Sequence, residues 1–194
     1  MFIPIKEIYE LTRRIKKTHD ERDLVKLAKL MGIDLNFFPM GNNETSCKGF
    51  YGRWYSIKQI TINSDLTEEE QIIILAHEFA HAMLNHKAVA AFHDTMLLDS
   101  SNKMEICANY FSADWLIDDD VVMELALSGK TFFEIACEMN VLPGLLAYKY
   151  NSMEVRGYNG LKSPIDVRSK YLSEYKRPLK VAEDFPVDYF DDWE

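Results

Sequence analysis

Gln71-Ile72-Ile73-Ile74-Leu75-Ala76-His77-Glu78-Phe79-Ala80-His81-Ala82-Met83-Leu84 reads as a helix with apolar residues in nearly every direction of its wheel. A helix that is apolar all round is a buried helix. Three polar residues, His77, Glu78 and His81, nevertheless sit in its middle. Burying a carboxylate is costly unless it is paired or lies near a cation. Histidines four residues apart project from one face, one turn apart. Two imidazoles placed this way can hold one tetrahedral ion through ring nitrogens at ~2.0–2.1 Å. Glu78 lies roughly 100° round the helix from His77. It does not share the ligand face but can reach a water beside the ion and serve as its base.

The surrounding chain supports a helix here. Thr67 followed by Glu68-Glu69-Glu70 forms a capping-box pattern and places acids at the positive end of the helix dipole. Upstream, Ile5 to Thr18 has helical periodicity. Asp20 to Met31 predicts a second helix, with Asp20 as N-cap and Asp23 in its first turn, ended by Gly32. Asp34 to Phe38 is strand-like, Pro39 to Ser46 is rich in turn formers, and Lys48 to Tyr55 with Lys58 to Asn63 predicts a hairpin or meander. Downstream, helices are expected from Lys103 to Leu116, after Asp118-Asp119-Asp120 to Leu127, and as a pair opened by Thr131 and Glu134 and split near Asn140 to Pro143. The expected class is α+β: mostly helical, with a small N-terminal antiparallel sheet packed on the histidine-bearing helix.

A catalytic metal needs a third protein ligand and an open position. A metzincin has a glycine three residues past its second histidine and a third histidine three further on. This chain has Leu84 and Lys87 there, which excludes that class. The remaining pattern takes a carboxylate from a downstream helix, and Glu105 is the candidate. Ala108, Asn109, Ser112 and Ala113 lie on nearby faces and are small enough for close helix approach; Asn109 can also orient a ligand from behind. The rivals are His86, His93 and Asp94, which read as surface residues, His86 because it points to a different face from His81.

Three blocks in order, Ile60-Thr61-Ile62-Asn63, His77-Glu78-Phe79-Ala80-His81, and Glu105-Ile106-Cys107-Ala108-Asn109-Tyr110-Phe111-Ser112-Ala113 with Trp115-Leu116-Ile117, resemble the ImmA/IrrE metallopeptidases over roughly residues 20 to 155. The resemblance implies a cytoplasmic zinc protease, often carried by prophages or mobile elements, that cleaves a helix-turn-helix repressor and so derepresses genes. By position, His77, His81 and Glu105 match the family's zinc ligands and Glu78 its catalytic glutamate. The chain departs from the family at Asn85, where many members have histidine, at Ser112 for alanine, and at Asp118 for proline. Residues 1–156 are expected to form the metallopeptidase domain. Residues 157–194 are expected to form a last helix, Pro164 to Lys176, and an acidic tail. Tyr110, His93 and Tyr148 are candidates for stabilising an oxyanion. Ile60 to Asn63 reads equally as a core strand or as a sheet edge where an extended substrate pairs.

Charge bears on partners. Of the net −9, six units come from Glu183, Asp184, Asp188, Asp191, Asp192 and Glu194, leaving −3 for the rest of the 194 residues. An acidic body is a poor match for nucleic acid. The segment Thr131 to Ser152 has a helix-turn-helix cadence, yet its second helix offers only Lys149 as a base, so a structural pair is favoured over a DNA reader. Cys47, Cys107 and Cys137 show no ligand spacing and suit reduced thiols in a cytoplasmic protein. No apolar run reaches membrane-spanning length, and Met1 to Glu7 has no signal-peptide pattern. The alternative to an endopeptidase is a non-proteolytic zinc-containing regulator, antitoxin-like or DNA-associated, acting by binding. Glu78 argues against it, since a binding module needs no base.

Overall fold

The computed structural model describes residues 3–43, 45–86, 98 and 103–167. The chain order is α1 (Ile5–His19), α2 (Leu24–Leu30), β1 (Ile33–Phe38), β2 (Gly49–Trp54), β3 (Ile57–Asn63), α3 (Glu68–Met83), α4 (Lys103–Leu116), α5 (Asp119–Leu127), α6 (Phe132–Glu138) and α7 (Pro143–Val155). The fold is α+β, with a three-stranded sheet against a helical body. Among the described residues, no helix is long and apolar enough to cross a membrane.

The helix starts follow their caps. Thr67 Oγ1 accepts from the Glu70 N–H at 3.3 Å, and the Glu70 carboxylate accepts from the Thr67 N–H at 3.1 Å. The same reciprocal pair joins Thr131 and Glu134 at the head of α6. Each such cap contributes ~0.5–2 kcal/mol. The cap of α2 is a correction: Asp23, not Asp20, accepts from the Val25 and Lys26 amides. Asp20 instead ends α1 in the left-handed conformation, at φ 48°. An aspartate tolerates that region better than most residues, which is why it can terminate one helix rather than start the next.

The sheet is mixed rather than antiparallel. Its order is β1-β3-β2: β2 and β3 form the expected hairpin through Tyr55 and Ser56, while β1 lies on the far side of β3 and runs parallel to it. Hairpin pairing is local and legible, but nothing in β1 itself states which edge it joins. Consequently β3 is the central strand, and the edges are β1 and β2. Ile60 to Asn63 is therefore buried core, and the sheet-edge reading of that segment fails. Asn63 shows why an amide can sit there. Its Nδ2 donates to the carbonyls of Gly41 and Cys47, and its Oδ1 accepts from the Met40 and Asp65 amides. One buried side chain thus ties the loop before β2 to the turn before α3.

Behind the sheet, α3 packs on β2, β3 and α4, and α4 packs in turn on α1 and α7. Phe79, Phe111 and Trp115 fill the α3–α4 seam with ring centroids about 6 Å apart. Tyr158, Leu161 and Ile165 pack against this core, and Val167 is part of it. Residues 164–167 are bends and turn rather than helix; the rest of the expected helix to Lys176, and the acidic tail, lie outside the described residues.

Candidate metal centre

The α3 residues from Ile73 to Ala82 are all buried, including His77, Glu78 and His81. Glu105 enters from the first turn of α4. Its Oε2 lies 2.9 Å from His77 Nε2 and 3.4 Å from His81 Nε2, and the two Nε2 atoms are 3.1 Å apart. Three ligands at ~2.0–2.1 Å on a tetrahedral ion are separated by about 3.3 Å, so this donor set has the size and chemistry for zinc or a similar ion. Among the described residues, these three form the group able to hold a metal. Burial pushes the Glu105 carboxyl up, but hydrogen bonds from His77 and His81, with their charges, outweigh it and hold the group well below the usual carboxylate range. It therefore presents an anionic oxygen to the two imidazoles.

The outer ring nitrogens are also engaged. His77 Nδ1 is 3.0 Å from Asn109 Oδ1, as expected for an amide one helical turn beyond Glu105. Asn109 Nδ2 donates to the Tyr148 hydroxyl, which donates to the Val167 carbonyl, both at 3.3 Å. His81 Nδ1 is 3.0 Å from His86 Nδ1. His86 is thus no surface residue pointing elsewhere. Burial, followed by the His81 charge, pushes its pKa down to about 4. Spacing alone missed it because five residues do not share a face on a continuing helix, and α3 does not continue.

Of the oxyanion candidates, Tyr148 stands behind His77, on the Nδ1 side, and is fully buried. Tyr110 donates to Asn151 Oδ1 at 2.6 Å. Both phenolic protons are directed at protein acceptors. His93 and its neighbour Asp94 lie outside the described residues.

The second helix of the expected helix-turn-helix pair is largely buried. In α7, every residue from Pro143 to Tyr150 is buried. Lys149, the one base counted on it, is 1% exposed and pairs with Asp114 at 3.1 Å and Asp119 at 2.6 Å. A recognition helix needs a solvent-facing side to enter a groove.

A buried His-Glu-x-x-His helix, joined by a glutamate from the next helix, is the arrangement of a metal-dependent peptidase. The sequence pattern of the IrrE N-terminal-like domain family, Peptidase_M78, matches residues 28–151, and the chain belongs to this metallopeptidase family. It is also similar to the "Uncharacterized immunity region protein 2" of Bacillus phage phi105, with 30% identity over 155 residues, 80% of this chain and 96% of that protein.

Proposed function

We propose that this chain is a zinc-dependent endopeptidase in which His77, His81 and Glu105 hold the ion and Glu78 is the general base. The observation that carries the reading is the convergence of two Nε2 atoms and one carboxylate oxygen within 3.4 Å of one another at the centre of a buried helix pair. Zinc in that place supplies Lewis acidity and lowers the pKa of an attacking water. Glu78 accepts the proton of that water and returns it to the leaving amine. Asn109 keeps His77 turned so that Nε2 faces the centre. β2, a sheet edge, packs directly on α3 and so lies close to the helix that carries His77 and His81.

The substrate we favour is a helix-turn-helix repressor. Support comes from the ImmA/IrrE resemblance and from a relative named for a phage immunity region. Co-incubation with a helix-turn-helix repressor, one encoded beside this chain if the neighbouring genes include it, is the test, with metal content measured in parallel. Wild type is expected to carry zinc and cut the repressor. Glu78→Gln is expected to keep the zinc and lose at least ~100-fold in cleavage rate, which separates catalysis from action by binding. Metal-free wild type after purification and zinc addition would sink the scheme.

A further inference from the structure

The last turn of α3 does more than end a helix. Leu84 is the C-cap, Asn85 follows at φ 51°, and the His86 N–H donates to the His81 carbonyl at 3.1 Å. This six-to-one bond across a left-handed residue is a Schellman turn. Asparagine is among the few residues besides glycine that adopt this conformation readily. The turn folds the chain back on the helix and lays the His86 ring edge-on against His81, with centroids 4.8 Å apart at 72°. The two Nδ1 atoms end 3.0 Å apart.

We propose that His86 is the positioning residue for His81, as Asn109 is for His77. The inference rests on the metal reading above. A neutral imidazole that offers the Nε2 lone pair to an ion carries its proton on Nδ1. In His81 that N–H points at His86 Nδ1, which must then accept and keep its own proton on Nε2. The contact is directional: it fixes one tautomer and one ring orientation of His81. His86 lies outside the group of His77, His81 and Glu105 that could hold the ion: its Nδ1 meets Nδ1 of His81, while Nε2 of His81 meets His77. The two ligand histidines are thus held by unlike acceptors, an amide from α4 and an imidazole supplied by the terminal turn of α3 itself. Asn85, left-handed at φ 51°, is the residue that lets the next position do this.

The experiment compares wild type, His86→Leu and His86→Gln. Zinc affinity is measured by competition with a chromophoric chelator. His86→Leu keeps the ring's apolar bulk but removes the acceptor, and is expected to weaken zinc binding about 10–100-fold. His86→Gln, whose amide oxygen can accept from His81, is expected to recover most of the loss. In the zinc-loaded wild type, ring-nitrogen correlation spectra should show an exchange-protected Nδ1–H on His81, absent in His86→Leu and present in His86→Gln. Zinc affinity of His86→Leu within twofold of wild type would overturn the proposal, as would a glutamine variant no better than leucine. If the leucine variant does not fold, the wild-type spectrum decides alone, and a His81 ring with no protected Nδ1–H overturns it. Wild type that binds no zinc defeats the metal reading itself; wild type that binds with His86→Leu unaffected defeats only this inference.

Discussion

His77 Nδ1 lies 3.0 Å from Asn109 Oδ1, so a ligand candidate on α3 is aimed by an amide on α4. The amide is aimed in turn by Tyr148, which is anchored on the Val167 carbonyl. The order of donors along this chain runs one way, and each link sets the next. Asn109→Ala removes the acceptor and is expected to weaken zinc binding about 10–100-fold, as losses of such outer contacts do. Asn109→Asp keeps an acceptor oxygen and should lose less. Chelator competition on the three proteins measures it; equal affinities for wild type and Asn109→Ala would refute the link.

A second polar group, at the opposite end of α4 from Glu105, braces the helices around it. Lys149 bridges Asp114 and Asp119, Arg156 clamps Asp119 with two nitrogens, and Ser152 donates to both oxygens of Asp114. The Arg156 guanidinium also sits over the Tyr9 ring at 3.7 Å. The group joins α1, α4, α5 and α7. Removing one partner of a buried pair leaves the other charge uncompensated and costs about 3–5 kcal/mol. Lys149→Met is expected to lose that much in urea unfolding of metal-free protein. Lys149→Met with Asp114→Leu, which removes both buried charges, should lose less than the sum of the singles. Strict additivity would show that the two do not interact.

Acid should weaken the same group through Asp119. Burial pushes its carboxyl up, but Arg156 and Lys149 outweigh that and pull it from 3.8 to about 2. A carboxyl depressed by folding adds stability that is fully present above its unfolded value, near pH 4. That stability is lost as pH falls through about 2. The contribution at neutral pH is about 2 kcal/mol. The stability gap between wild type and Asp119→Asn, in metal-free protein, is therefore expected to hold from pH 7 to 5 and to narrow by about that amount between pH 4 and 2. A gap that widens on acidification would have the wrong sign.

The candidate site was legible where its signals were local. The helix around His77 and His81 announces itself through its cap and its all-round apolar wheel, and Glu105 and Asn109 lie one turn apart on the next helix. What escaped depends on where the chain goes after an element ends. His86 reads as misplaced while α3 is imagined to continue, and becomes a partner of His81 once Asn85 turns left-handed. Lys149 reads only as the lone base of its helix because its acids, Asp114 and Asp119, sit on other helices. The parallel placement of β1 is likewise a choice between the two free edges of the β2–β3 hairpin, and the residues of β1 do not announce which.

The seat of α3 on the sheet depends on one missing side chain. Gly49 opens β2 opposite Ile62, and a Cβ there would fall 2.5 Å from Ile74 Cγ2 and 3.0 Å from the Thr61 carbonyl oxygen. The first distance is far inside van der Waals contact, so Gly49→Ala must displace β2, the Ile74 side chain on α3, or both. Overpacking of this kind costs about 1–3 kcal/mol. Ile74→Leu removes the branched methyl at nearly constant volume and should cost less than ~1.5 kcal/mol alone. The pair together is expected to be more stable than the sum of the two losses predicts, because the relocated methyl relieves the main clash while the Thr61 oxygen still limits the recovery. Urea unfolding of the four proteins in a double-mutant cycle measures the coupling, and a value indistinguishable from zero would mean that β2 yields elsewhere and does not press on α3.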